Sequence, residues 1–374
     1  MSSNIAIFAY DFPHRKSCDF IKDLYSYGLK NLVVLAAPKK KITNLITELT
    51  NKEYSYSPRP IETSTLCKNM GVPYFKVEHN DTSQLNSVVS DYKIDMAIIA
   101  GARIIPSDII AKFSRGIVNF HPGKIPETSG LDAFPYTLKK GVCAGVTTHL
   151  IDHRVDAGYF IRFNKLVIQS DDTVSSTQEK LYQLQRLALQ DFCANLADFE
   201  RNISPIERPR KNTVMMKDER ESAFSSFNNW KTQQLRDQNQ ARFFQACEEG
   251  NFDVVFDSLN SDRSMVFVTN EMGWTPLIVA CFNQRYEIAK LLLEKGADPN
   301  RGSVKGTTPL MYAKSRIVNQ SKPDLSLLRL LIDAGADYKR TDSFGKDVIY
   351  YIKNAGDLEL AKSIVEISSK ISES

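Results

Sequence analysis

Chemistry in this chain points first to its histidines. All five, His14, His79, His121, His149 and His153, precede residue 154, so any histidine catalysis belongs to the first half. In Gly116-Ile117-Val118-Asn119-Phe120-His121-Pro122 the two-residue period of a strand sends Asn119 and His121 to one face and Val118 and Phe120 to the other. Pro122 and Gly123 end that strand. An amide and an imidazole then stand together at a strand's carboxyl end, where open α/β sheets bind ligands. Pattern alone leaves two readings open: a ligand-facing pair, or a polar strand end solvated by water.

The elements that position this pair follow from the hydrophobic rhythm. Ile5 to Tyr10 reads as a strand. Ser17 is placed to cap a helix with Phe20, Ile21 and Leu24 on one face, and Gly28 closes it before the strand Leu32 to Ala37. Tyr74 to Val77, Met96 to Ala100 and Ile117 to His121 continue the series, and strands alternating with helices predict a mainly parallel, Rossmann-like α/β sheet flanked by helices. After Gly145 the rhythm becomes strand, turn, strand. Ser176-x-x-Glu179 then predicts a helix start, with Leu181, Leu184, Ala188 and Phe192 inward. Residues 206–240, rich in Arg, Pro, Ser, Asn and Gln, read as a linker between residues 1–205 and 241–374.

The last third repeats itself. Thr275-Pro276-Leu277-Ile278-Val279-Ala280 recurs as Thr308-Pro309-Leu310-Met311-Tyr312-Ala313, and Leu291 to Asp298 recurs as Leu330 to Asp337. These phrases resemble ankyrin repeats, which implies an all-α array over residues 241–374. Ala246 to Leu259 and Lys346 to Ile367 read as its capping units. Extra residues around Ser315 to Ser326 predict a protruding loop.

A second chemical cluster lies at Gly145-Val146-Thr147-Thr148-His149-Leu150, followed by Asp156-Ala157-Gly158. With Asn119-x-His121-Pro122, these three ordered elements resemble the formyltransferases that use 10-formyltetrahydrofolate, over about residues 1–205. The resemblance implies a catalytic trio of Asn119, His121 and Asp156. Asn119 would donate a hydrogen bond to the formyl oxygen as it gains charge. His121 would act as general base toward the substrate amine, and Asp156 would orient the imidazole or stabilise its charged form. No metal is needed. The folate is expected between the loop Gly101, Ala102, Arg103, Ile104, Ile105, Pro106 and the loop from Asp152 through Val155 to Gly158, although Ile104 and Ile105 also read as core residues. His149 matches the family element, but burial in a strand explains it.

Among such relatives, the acceptor is argued by what is missing. A Gly-rich phosphate loop after the first strand is replaced by Tyr10-Asp11-Phe12-Pro13-His14-Arg15-Lys16, which disfavours phosphoribosyl-glycinamide. No oligonucleotide-binding barrel follows, and the net charge is only +4 on 374 residues, which disfavours methionyl-tRNA and nucleic acid generally. The resemblance then points to sugar N-formyltransferases of surface polysaccharide biosynthesis, acting on a dTDP-linked 3- or 4-amino-dideoxyhexose. His14, Arg15 and Lys16, or Lys39-Lys40-Lys41, are candidates to pair its diphosphate. The loop Pro122 to Gly130 departs from the family's usual H-P-S-x-L-P-x-x-R-G form. The alternatives are a 10-formyltetrahydrofolate hydrolase, or an ankyrin interaction scaffold with a relict folate domain.

The repeats suggest a further ligand. Trp274, Arg301, Lys305, Tyr312 and Arg316 cluster around successive repeat turns, so an indole beside cations could hold a regulatory nucleotide sugar; a protein ligand is the ordinary expectation for such arrays. Relatives suggest a homodimer. The start of the chain lacks a basic region before its short apolar run, and no stretch approaches a membrane span, so a cytoplasmic protein is expected. The six cysteines are widely spaced and read as reduced thiols.

Overall fold

The computed structural model describes residues 4–39, 60–102, 104–154, 156–207 and 212–372. The chain divides into two compact units, Met1–Gln234 and Leu235–Ser374. Eight strands form one sheet in the first unit: β1 (Ile5–Tyr10), β2 (Leu32–Ala37), β3 (Tyr74–Lys76), β4 (Met96–Ile99), β5 (Ile117–His121), β6 (Gly145–Leu150), β7 (Tyr159–Lys165) and β8 (Ser204–Pro205). Their order is β3-β2-β1-β4-β5-β6-β7-β8. β1 to β5 run parallel, and β6, β7 and β8 add antiparallel pairings. Strand order reverses between β1 and β4, and the crevice at their carboxyl ends is where such sheets take ligands.

Burial on both faces explains the strands' unbroken apolar runs. Along β1, Ile5, Ile7 and Ala9 enter a core with Phe20, Ile21 and Leu24 of the helix Arg15–Ser26 and Leu189 and Phe192 of the helix Val174–Ala194. Ala6 and Phe8 enter the opposite core with Leu85, Val89, Ile109 and Phe113.

Two helix starts differ from expectation. His14, not Ser17, caps the first helix, its ring accepting from the Ser17 backbone N–H. Thr173 caps Val174–Ala194 in a reciprocal bond with Ser176, so this helix begins before the expected Ser176-Glu179 box. The expected linker is a larger correction. Residues 217–225 and 227–249 are helical, and Met215, Ala223, Phe227 and Trp230 are buried. Trp230 Nε1 donates to the Val142 carbonyl at 2.8 Å. A few well-spaced apolar anchors dock this stretch despite its polar composition.

In the second unit, helix pairs Pro276–Phe282 with Tyr286–Glu294, Pro309–Ala313 with Ser326–Asp333, and Val348–Asn354 with Leu358–Ser372 follow one another. Thr275, Thr308 and Asp347 cap the first helix of each pair, with Pro at the first helical position in two of them, where its missing N–H costs nothing. Their apolar faces share one core that includes Leu277, Leu292, Leu328 and Ile352. The insertion does not simply protrude: Ile317 is buried, and the Asn319 backbone N–H donates to Asp357 at 2.8 Å.

Candidate active site

Antiparallel pairing of β5 and β6 sets Asn119 opposite His149 and His121 opposite Thr147. Directly opposed side chains share a face, so both strands present polar groups to one spot. Asp156 reaches the same spot from the loop after β6. Its backbone has φ 47, a left-handed conformation that Asp tolerates better than most residues. Ala157 is buried and Gly158 has φ 109, where a Cβ would meet the Leu150 carbonyl oxygen at 2.1 Å. Small residues after Asp156 thus let its loop close against β6.

The three expected catalytic residues converge. Asp156 Oδ2 lies 3.4 Å from His121 Nδ1 and accepts the Gly130 backbone N–H at 2.6 Å. Asp156 Oδ1 faces Asn119 Nδ2 at 3.4 Å. Burial raises the Asp156 carboxyl's pKa, but the hydrogen bond and charge of His121, the Gly130 N–H and the His149 ring outweigh it and hold it below its ordinary value. A carboxylate is therefore kept ionised in a nearly closed place.

His121 is 5% exposed. Its Nε2 meets the Thr128 carbonyl at 2.9 Å, which requires an Nε2–H. Nδ1 is then the basic nitrogen, and its contact with Asp156 becomes favourable once it carries a proton. The loop that supplies Thr128 approaches closely because residue 123 is glycine: a Cβ there would meet Thr128 Oγ1 at 2.1 Å and His121 Nε2 at 3.0 Å.

Two residues of the Gly145 to His149 element do more than their sequence reading suggested. His149 is fully buried, its Nδ1 faces the Ala157 carbonyl at 3.2 Å and its Nε2 faces Asn119 Nδ2 at 3.2 Å. The Nδ1–H tautomer satisfies both contacts and fixes the orientation of the Asn119 amide. Burial pushes the His149 pKa down to about 4, against the pull of Asp156. Thr147 donates to the Gly123 carbonyl at 2.6 Å and accepts the Ile125 N–H at 3.2 Å, pinning the start of the loop after β5. Only the β5–β6 register reveals these roles.

A cavity of about 470 Å³ opens beside the trio. Asn119, His121 and Asp156 form one part of its wall; Ile99, Ile104, Leu131 and Ile151 make it apolar, and Asp152 and Arg154 add charge. Of the loop residues expected around the folate, Ala102, Ile104, Ile105 and Asp152 line this cavity. Gly101 lies against the Tyr10 ring, 2.8 Å from where a Cβ would stand, and Tyr10 donates to the Ala102 carbonyl at 3.0 Å. Ile104 is 74% exposed and Ile105 6%, so only Ile105 is a core residue. Arg103 and Val155 lie outside the described residues. Asp152 is paired with Arg154, which holds its carboxyl below the usual range even though burial opposes this.

The residues expected on a diphosphate are engaged elsewhere. His14 is a helix cap packed edge-on to Tyr10 at 5.0 Å, and burial pushes its pKa down to about 4, helped by Lys16. Arg15 makes two 2.6 Å bonds to Glu179 and lies 3.9 Å over the Tyr182 ring. Lys16 Nζ turns under β5 and donates to the Phe120 carbonyl at 3.3 Å; burial lowers its pKa to about 8, with Asp156 pulling the other way. Lys39 is exposed, while Lys40 and Lys41 lie outside the described residues.

In the second unit Trp274, Tyr312 and Arg316 meet around Phe282, which the sequence reading did not include. Trp274 is 4.7 Å from Tyr312 and 5.3 Å from Phe282 between ring centroids, and the Arg316 guanidinium lies 5.4 Å over Phe282. Arg301 is turned away to the Phe267 carbonyl at 2.9 Å, and Lys305 is exposed on a repeat turn. Among the described residues, no cluster of three or more His, Cys, Asp or Glu could hold a metal ion, and no helix is long and apolar enough to cross a membrane.

Parts of this chain are similar to known proteins. Residues 33–191 match the Formyl transferase family, and residues 243–342 match Ankyrin repeats (3 copies). The chain is 27% identical over 125 residues to methionyl-tRNA formyltransferase of Chlorobium limicola, covering 33% of this chain and 39% of that protein. It is 35% identical over 107 residues to the putative ankyrin repeat protein L86 of Acanthamoeba polyphaga mimivirus, covering 26% of this chain and 19% of that one. The chain thus spans well under half the length of either relative. A sugar N-formyltransferase from Shewanella sp FDAARGOS_354 superimposes with a TM-score of 0.41 and 16% identity, over 57% of this chain and 78% of that one. Residues 33–191 thus carry a formyl transferase domain, and residues 243–342 carry ankyrin repeats.

Proposed function

We propose that the first unit transfers a formyl group from 10-formyltetrahydrofolate to the primary amine of a nucleotide-linked amino sugar, a dTDP-linked 3- or 4-amino-dideoxyhexose. The observation that carries this reading is the meeting of Asn119, His121 and Asp156 on one wall of the cavity of about 470 Å³. A flat, partly polar pterin suits walls of Ile99, Ile104 and Ile151 with Asp152 and main-chain groups of the Ala102 loop at the edge. The folate supplies the formyl carbon.

Each residue has a task in the exchange. Asn119, oriented by His149, gives the N–H that now faces Asp156 to the formyl oxygen as it gains charge, a contribution of about 10²–10³-fold. His121 takes the amine proton at Nδ1, worth about 10²–10⁴-fold, and Asp156 stabilises the resulting cation; as the bond from the formyl carbon to the folate nitrogen breaks, that proton passes on to the leaving nitrogen. The sugar acceptor is supported by the chain's near balance of charge and by the loop after β1, where a glycine-rich phosphate cradle is replaced by the packed Tyr10–His14 cluster. Incubating the protein with donor and a panel of amino-sugar nucleotides tests the reading: one acceptor should gain the mass of one formyl group, and gain by none removes the sugar assignment.

We also assign to the Trp274, Tyr312 and Arg316 cluster a second molecule of sugar nucleotide. Saturable quenching of Trp274 fluorescence in the full chain, lost in Tyr312→Ala, tests it.

A further inference from the structure

The loop that positions His121 and Asp156 is itself held from outside. Thr128 and Gly130 make the two contacts that set the trio, accepting from His121 Nε2 and donating to Asp156 Oδ2. Beside them, Asn212 pairs with Gly130 as an isolated parallel bridge. The Asn212 N–H donates to the Ser129 carbonyl at 2.9 Å, and its side chain is clasped by the Glu127 carbonyl at 3.3 Å and by Lys140 at 3.0 Å. A Cβ at position 130 would stand 2.3 Å from the Asn212 carbonyl oxygen, so glycine there permits this approach. At the loop's other end both carboxylate oxygens of Asp132 are taken by the same segment: the Met215 N–H donates at 2.8 Å and Arg220 at 2.6 Å. Met215 is fully buried.

We infer that residues 212–220 are a strap that holds the loop 127–132 in its catalytic geometry, with Arg220 and Asp132 as positioning residues. Neither touches substrate; they act through Thr128 and Gly130. Composition marks this stretch as a connector, yet its main chain and one Arg–Asp pair are spent on a loop whose two key atoms otherwise rest on a few local turns. Chemical roles for His121 and Asp156 rest on the function proposed above, whereas the mechanical claim does not.

Hydrogen exchange of residues 127–132 in the full-length protein tests the mechanical claim. In Arg220→Ala these amides should exchange about tenfold faster than in the unaltered protein, and Arg220→Lys should recover part of the protection. Asp132→Asn is the second variant; Asn tolerates the left-handed backbone at this position (φ 56) and loses the charge and one of the two acceptor oxygens that Met215 and Arg220 use. The kinetic readout is the split between kcat and KM. Asp156 is faced by Asn119 and His121 from β5, His149 from β6, Lys16 from the first helix and the Gly130 N–H; the strap bears on the last of these and on the Thr128 contact to His121. Loosening them displaces His121 and Asp156 while the folate walls stay in place, so kcat should fall about tenfold with the folate KM little changed, and Arg220→Lys should recover part of the lost kcat. Unchanged exchange in both variants overturns the strap. Failure of the unaltered protein to formylate any amine would instead overturn the proposed function, and the exchange result would still decide the strap.

Discussion

Asp156 ties together four neighbours with one carboxylate, and its ionised state depends on them. Burial works against that state, so removing the charge should cost turnover and not packing: Asp156→Asn, nearly isosteric, should lower kcat by about 10²-fold or more while leaving the far-UV circular dichroism unchanged. Near-normal turnover would remove Asp156 from the mechanism. Because its folded pKa is depressed, Asp156 contributes stability that is present above its unfolded value and lost as pH falls through the folded one. His149 works with the same sign by a different route. Burial brings its pKa from 6.5 to about 4, so as pH falls through this window the unfolded chain takes up a proton that the folded chain refuses, and stability declines. His149→Gln keeps an acceptor for Asn119 and does not titrate. Urea denaturation between pH 7 and pH 4 should therefore show a flatter stability curve in the variant, with a residual slope from His14, which is lowered to about 4 as well. An identical slope would mean that His149 is not the buried neutral ring described here.

At the scale of elements, the site depends on close approaches at Gly123, Gly130 and Gly158 that only glycine allows. A methyl at position 123 would push the loop after β5 off Thr128 and His121, so Gly123→Ala should lower kcat by about tenfold or more with little change in folate affinity, measured by steady-state kinetics and equilibrium titration. Gly158→Ala should act on folding instead. It places a Cβ 2.1 Å from the Leu150 carbonyl oxygen at φ 109, and a loss of about 1–3 kcal/mol is expected from denaturant midpoints. Legibility in the sequence followed the same division. β1 was readable as a short unbroken apolar run because both its faces are buried, and in β5 the two-residue period assigned Asn119 and His121 to one side. The meeting of Asn119, His121 and Asp156 was foreseeable because three ordered sequence elements resemble a known motif. His149 and Thr147 were not, since their roles exist only through the β5–β6 register, which links residues about thirty apart. His14, Arg15 and Lys16 looked like a cationic cradle because side-chain direction at a helix start is invisible in a string of letters; one caps the helix, one pairs with Glu179 and one turns under β5.

For the whole chain, the boundary of the first unit has the largest energetic consequence. The sequence places the end of that unit near residue 205, whereas the compact unit runs to Gln234. Between these limits lie Met215, Phe227 and Trp230, exposed by 0%, 5% and 4%, with Trp230 and Phe224 packed on Phe134. Full burial of a large apolar side chain is worth about 1.5–3 kcal/mol, so these three together supply roughly 5–9 kcal/mol as an upper estimate. A domain's entire net stability is about 5–15 kcal/mol. Removing the segment therefore takes away an amount comparable to what keeps the unit folded, and it uncovers Phe134 on the helix that follows the catalytic loop. Fragment 1–234 should show one cooperative thermal transition with near-ultraviolet circular dichroism of packed aromatics, and fragment 1–205 should show neither. Equal melting of the two fragments would mean that the apolar anchors dock without stabilising, and the boundary would return to residue 205.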